Sequence, residues 1–318
     1  MQSRNFWLSK EVFIGLAVFA FVAIPVVVFG GSKTVYVDQG ANGSEDGTYN
    51  HPYHSIGKAL DHVKGGTEVR VKNGTYKENI TIPKDVKIFG DSEKRDKVVI
   101  KADNDSRPTV EMKDESELSY VTVKGGRHGV RILPDAKAHL YNVVVKDSNR
   151  DGIHIDSAKT DKRHIVILDT VEITHNDRTG IYSEKRKISL INSYITLNKS
   201  DGVDFAMGTE AWLGDNSFSG NKGSGLKLVL DGSSILSKKN NIRNNGREGA
   251  EVSAYGASGT VNLKKATFIN NGRYGIAKVA RTTAGLRTFG GVVLGTGTND
   301  NRFESNGLGN ISALLRVF

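Results

Sequence analysis

The 318-residue sequence contains no cysteine, only five prolines and few aromatic residues, 8% in all. Without cysteine there is no disulfide scaffold, thiolate zinc site, iron–sulfur cluster or cysteine nucleophile. Every proline lies at or before Pro134, so the backbone donors of the 184 residues that follow are all free for strand ladders. Hydrophobic residues make up 37% of the chain, and with so few aromatics its core must be aliphatic. Glycine runs the other way, at 36 residues or about 11% against an average of roughly 7%. Because proline does not rise with it, this is not a disordered Pro/Gly-rich chain, and something regular is using the glycine.

Residues 12–30 form an uncharged run of 19 residues, close to the ~20 a helix needs to cross a bilayer. Arg4 and Lys10 precede it and only Lys33 follows closely. The positive-inside bias therefore predicts a cytoplasmic N-terminus with everything after Gly30 extracytoplasmic. A cleavable signal peptide has a shorter apolar region and a small-x-small site; Val27-Val28-Phe29-Gly30 offers none, which favours a retained single-pass anchor. The expected organisation is a cytoplasmic N-terminus (1–11), a transmembrane signal anchor (12–30), an N-terminal strand and capping helix (31–66) and a repetitive body (67–318).

A repeat fills that body. Glycine followed by an apolar residue recurs at Gly129, Gly152, Gly180, Gly202, Gly225, Gly249 and Gly275, with a mean interval of about 24 residues. Four residues earlier stand Asn176, Asn198, Asn221, Asn245 and Asn271, with Asn149 and Asn306 extending the series. Ile173, Ile195, Phe218, Ile242, Phe268 and Phe303 precede those asparagines, and Leu118, Leu140, Leu168, Leu190, Leu213 and Leu263 make a further column. Each unit reads as short alternating strands joined by tight turns. Such a unit cannot bury its apolar side alone, whereas stacked copies bury a continuous column. The fold expected is all-β, a single right-handed parallel β-helix of about ten coils. Its asparagines should form a hydrogen-bonded ladder, and both Asn and Gly suit left-handed turn backbone. Ile56, Ala59, Leu60 and Val63 sit at helical spacing, predicting an amphipathic helix that caps the first coil. The apolar C-terminal segment 311–318 either folds back over the last coil or docks on another subunit to make a homo-oligomer.

The N-terminal part of the body, about 34–90, resembles the opening of pectin-lyase-like right-handed β-helix proteins. The matching residues are Asp46-Gly47-Thr48, Pro52-Tyr53, Gly74-Thr75-Tyr76 and Glu78-Asn79-Ile80. With the later coils the resemblance covers about 34–310. It implies the fold but not one chemistry, since that superfamily spans lyases, hydrolases, epimerases, adhesins and members without assigned activity.

Alternation after each coil glycine puts Val130/Ile132, Ile153/Ile155, Val203/Phe205 and Leu226/Leu228 inside. The outward stripe then reads Arg131, His154, Tyr182, Asp204, Lys227 and Glu251, with Asp156 beside His154. In the enzymes this fold resembles, a polysaccharide lies along such a face, so Arg131, Asp156, Tyr182, Asp204, Lys227 and Glu251 are the candidate substrate-binding residues. Aromatic rings stack on sugars, and Arg or Lys pairs with uronate or sulfate. Asn149-Arg150-Asp151-Gly152-Ile153-His154 is similar to the first signature of polygalacturonase-type hydrolases. Asp177 and Asp201 on following coils complete a candidate acid–base set with Asp151 and His154, and Gly225-Leu226-Lys227-Leu228 resembles that family's basic clamp. The paired Asp-Asp and the Gly-His-Gly motif of that family are replaced by Asn176-Asp177 and Ser200-Asp201-Gly202. For elimination or epimerisation, His154 or Tyr182 is the candidate base and Arg131 or Lys227 the neutralising cation.

The formal charge is +9, of which the first 30 residues contribute +1, leaving +8 on the remainder. This favours an anionic partner, which in an extracytoplasmic setting means acidic polysaccharide or another cell-envelope polymer. No recognition motif accompanies the charge, so nucleic acid is not expected. No cofactor and no metal site is called for by the motifs present. Two functions remain open: an anchored protein that binds, and in one form processes, an anionic polysaccharide, and a non-catalytic adhesive or structural rod.

Overall fold

The computed structural model of the protein describes residues 33–160 and 164–318. The expected span at 12–30 lies outside them; no helix among the described residues is long and apolar enough to cross a membrane. The body is a parallel β-solenoid built from three sheets of 11, 10 and 10 strands. The first sheet runs from Thr34–Val37 to Val292–Leu294, the second from Gly74–Lys77 to Arg302–Glu304, and the third from Ile80–Ile82 to Gly309–Arg316.

Register explains why the repeat folds this way. Leu118, Leu140, Leu168, Leu190 and Leu213 stand opposite one another in the first sheet. Val110, Val130, Ile153, Ile181, Val203, Leu226, Ala250 and Ile276 do so in the third. All of these are fully buried. Each apolar side chain thus packs on its counterparts about 4.8 Å above and below. Helix α1 (Ile56–His62) buries Ile56, Ala59 and Leu60, as its spacing predicts. Ser55 caps it through Lys58 N–H, and Glu78 takes the N–H groups of Ile56 and Gly57 at 2.9 and 2.7 Å.

The asparagine ladder is continuous from Asn176 through Asn198, Asn221, Asn245 and Asn271 to Asn306, each Nδ2 donating to the next Oδ1 at 2.9–3.0 Å. Two details differ from the sequence reading. Ser148, not Asn149, occupies the next ladder position, its N–H donating to Asn176 Oδ1, while Asn149 Nδ2 reaches Asp105 O. The left-handed residue is the one before the ladder asparagine, for example His175 (φ 57°), Leu197 (φ 56°) and Asn270 (φ 53°). A second ladder, Asn216 to Asn240, lies in the turn between the first and second sheets. The coil glycines do not have positive φ; they are required by close approach. A Cβ on Gly180 would stand 2.5 Å from both Gly202 O and Ile195 Cγ2.

Asn221 shows what the ladder contributes. Its Oδ1 accepts from Asn198 N (3.1 Å) and Nδ2 (3.0 Å), and its Nδ2 donates to Ile195 O (3.1 Å) and Asn245 Oδ1 (3.0 Å). Asn221→Ala strands two buried donors, each costing about 1–3 kcal/mol. A loss of roughly 2–4 kcal/mol in urea unfolding is expected, and a change within ~0.5 kcal/mol would contradict this account.

The C-terminal segment neither covers the last coil nor stands apart from it. Gly309–Arg316 pairs with Tyr274–Ala280 as the terminal strand of the third sheet, leaving Ile311 43% exposed.

Candidate functional site

The third sheet presents its outward column as expected: Arg131, His154, Tyr182, Asp204, Lys227 and Glu251 are in direct register. Tyr182 stacks on the His154 ring, with centroids 5.0 Å apart and an interplanar angle of 11°. Arg131 donates to Asp156 through Nη2 at 2.8 Å and meets Glu111 at 3.2 Å. Lys227 Nζ lies 2.8 Å from Asp204 Oδ2. Burial alone would pull the Lys227 ammonium down, but Asp204 outweighs it and the group is held above its usual value. Glu251 departs from the expected open stripe. It is buried beneath Arg281 and Arg247 and accepts from Ser253 Oγ, so these guanidiniums close that end of the column.

A second column runs alongside, at the residue just before the coil glycines from Gly129 to Gly249: His128, Asp151, Thr179, Asp201, Ser224 and Glu248, all buried. Asp151 Oδ2 accepts from His154 Nδ1 at 3.0 Å, and His154 Nε2 lies 3.5 Å from Asp156 Oδ1. A carboxylate only accepts, so in this contact Nδ1 is the donor. Burial would raise the Asp151 carboxyl, but the imidazoles of His128 and His154 hold it well below the usual carboxylate range. His128 Nδ1 stands 3.4 Å from the same carboxylate oxygen, close enough for a charge contact, and has no hydrogen-bond partner among the described residues. Burial pushes the His128 imidazole down, towards the neutral form.

The other sequence candidates separate. Asp201 shares the column of Asp151 but lies two coils away, roughly 10 Å by strand spacing. Asp177 is in neither column; it is half exposed and pairs with Lys199 at 2.7 Å. The three carboxylates Asp151, Asp177 and Asp201 therefore do not converge on one point. His128 was not singled out by the sequence reading, although its 23-residue distance to Asp151 equals that from Gly129 to Gly152.

Asp201 is raised by burial against the opposing Ser224 N–H, which it accepts at 2.7 Å. A carboxyl raised on folding adds stability below the unfolded value of about 3.9, and that contribution is lost as pH rises through the folded value. Asp201→Asn, which retains the acceptor, is therefore expected to raise the urea midpoint at pH 7. The advantage should vanish near pH ~3.5; an equal effect at both pH values would refute the assignment.

A groove of about 700 Å³ on the second sheet was also not anticipated. Residues 91–97 form its wall: Arg95 reaches Glu172 Oε2 at 2.6 Å and Thr170 O at 3.2 Å, and Thr122 Oγ1 donates to Arg95 O. Beside it Lys77, Lys101, Lys124 and Lys146 stand in register on four successive strands. Among the described residues Lys101 and Lys146 have no ion-pair partner, while Lys77 meets Asp103 and Lys124 meets Asp147. Like charges in adjacent register repel, so this file favours an anion over it. Its spacings of 24, 23 and 22 residues were readable in the sequence.

Among solved structures the chain is similar to pectate lyase Pel9A, with TM-score 0.58 and 14% identity over 90% of this chain and 79% of that one. It is also similar to the A-module of the Azotobacter vinelandii mannuronan C-5 epimerase AlgE6, with TM-score 0.52 and 14% identity over 82% and 93%. At such identities the likeness is one of fold. No curated protein matches the sequence. Residues 128–307 match the right-handed beta helix region family. That stretch is more than half of the chain and carries the glycine repeat, the ladder and both columns, and the protein belongs to this family.

Proposed function

We propose that the protein binds an acidic polysaccharide along the outward column of the third sheet and that His154 abstracts a proton from a uronate residue there. The observation that carries this reading is the His154–Asp151 pair: a buried, ionised carboxylate accepts from Nδ1–H, and Nε2, 3.5 Å from Asp156 Oδ1, is the nitrogen that would take the substrate proton. In the elimination this supports, the C5 proton of the uronate goes to Nε2. The C5–H electrons form the C4–C5 double bond, the C4–O bond breaks, and the departing alkoxide takes a proton. Tyr182, stacked on the His154 ring and kept protonated chiefly by burial, is the donor in the same column. Return of a proton to the opposite face of C5 would give the epimer instead. Lys227 supplies positive charge on the same file, two coils beyond Tyr182 and three beyond His154, although Asp204 already shares it. Inverting hydrolysis by three carboxylates has less support, because Asp177 stands apart. In the same reading residues 12–30 anchor the solenoid outside the cytoplasmic membrane, which protease accessibility in intact cells would test.

The lysine file favours a second reading, in which the solenoid holds a polyanion on its second sheet without turning it over. Cations repeating about every 4.8 Å along the axis suit a polymer with one charge per sugar.

Polygalacturonate and polymannuronate are the probes. Unsaturated uronide absorbance, or epimer signals in NMR spectra, supports the first reading; new reducing ends without unsaturation would replace it with hydrolysis. Binding without turnover that is lost in Lys101→Ala/Lys146→Ala supports the second, and absence of binding to either polymer rejects both.

A further inference from the structure

We infer that His128, Asp151 and His154 form a site for one divalent transition-metal cation of the Zn²⁺ type. One ligand atom from each residue lies within 4.8 Å of the other two. Asp151 Oδ2 is 3.0 Å from His154 Nδ1 and 3.4 Å from His128 Nδ1. Ligands bonded at ~2.0–2.1 Å in a tetrahedral set are about 3.3 Å apart, so a cation needs little movement to take these atoms.

The independent observation is His128 itself. Its side chain is only 8% exposed, and its Nδ1 faces the carboxylate with no hydrogen-bond partner. An orphaned buried nitrogen costs about 1–3 kcal/mol, and a metal ion would satisfy it.

The donor set decides which cation. Two imidazole nitrogens and one carboxylate suit Zn²⁺ and its first-row neighbours, whereas Ca²⁺ and Mg²⁺ take six or more oxygens or retain most of their water. Three protein ligands leave a fourth position open, and His154 is 26% exposed. His154 Nε2, 3.5 Å from Asp156 Oδ1, provides the outer partner that orients such a ligand.

This site shares Asp151 and His154 with the reading proposed above but does not depend on it. The two make opposite demands on His154: coordination through Nδ1 moves the proton to Nε2, which then donates and is no longer a base. A bound cation should therefore suppress proton abstraction by His154.

The test is equilibrium dialysis of the untagged full chain against ZnCl₂, with Co²⁺ as a spectroscopic substitute. One equivalent of Zn²⁺ is expected, with visible Co²⁺ bands of a four-coordinate site. His154→Ala and His128→Ala should each weaken binding by more than the roughly 10–100-fold that follows from losing an outer partner. Zn²⁺ should raise the melting temperature of the parent but not of His154→Ala, whose partly exposed side chain makes it the safer variant for folding. No bound Zn²⁺, unchanged affinity in His154→Ala, or equal affinity for Ca²⁺ would overturn the assignment. Polysaccharide turnover measured with a chelator present is scored separately, so either idea can fail alone.

Discussion

Arg186→Ala is expected to lower the unfolding free energy by about 2–5 kcal/mol, seen as a fall in urea midpoint at unchanged slope. Arg186 is the largest fully buried side chain among the described residues. Among the described residues no carboxylate pairs with it; its guanidinium is spread over backbone carbonyls of earlier coils. Nη1 donates to Leu133 O (3.1 Å) and Asp156 O (2.8 Å), and Nη2 to Ala136 O. Burial pulls its pKa down, against the opposing charges of Asp135 and Asp156. Truncation leaves a cavity and removes the donor from the Asp156 and Ala136 carbonyls, whereas Leu133 O keeps the Ala136 N–H. Arg186→Met should cost less than alanine because it refills most of the volume. Arg186→Lys should not rescue, since an ammonium cannot reproduce a planar fork. A cost below ~1 kcal/mol for alanine would mean that water satisfies these carbonyls unaided.

The second large effect concerns turnover on whichever uronan proves to be a substrate. His154→Ala is expected to reduce kcat by about 10²–10⁴-fold, the usual contribution of a positioned general base, while leaving the unfolding midpoint nearly unchanged. Asp151→Asn keeps an oxygen acceptor but removes the charge that holds His154 with Nδ1–H inward. A smaller loss in kcat at similar KM is expected there. Loss of KM alone in both variants would assign them to binding and remove His154 from the chemistry.

Much of the solenoid was legible because its period is written in residues with a steric or hydrogen-bonding reason. The coil glycines are glycine because the next coil's carbonyl and an Ile or Phe side chain occupy the Cβ space, as at Gly180. The asparagines recur because each amide bonds the next. Alternation after the glycine correctly assigned inward Ile153 and Ile155 and outward His154. The same logic misplaced Asn149, one residue off the ladder, because Asn149-Arg150-Asp151-Gly152 mimics a motif whose asparagine position is held here by Ser148.

The candidate site was only half legible. Periodicity identifies which residues share a file, and so it supplied Arg131, His154, Tyr182, Asp204 and Lys227. It does not say what covers the end of that file, which is why Glu251 was expected in the open and is buried under arginines.

From sequence alone the protein was determined to be a stacked parallel solenoid with a capping helix, because a 24-residue unit of short strands can bury its apolar residues in no other way. Only the tertiary structure brought His128 to Asp151 and His154, folded residues 91–97 across the second sheet and threaded Arg186 beneath three carbonyls. Those contacts join different coils through turns of unequal length. The period places His128 and Asp151 in one column, but it does not encode the direction in which each side chain turns or the path of the segments between strands.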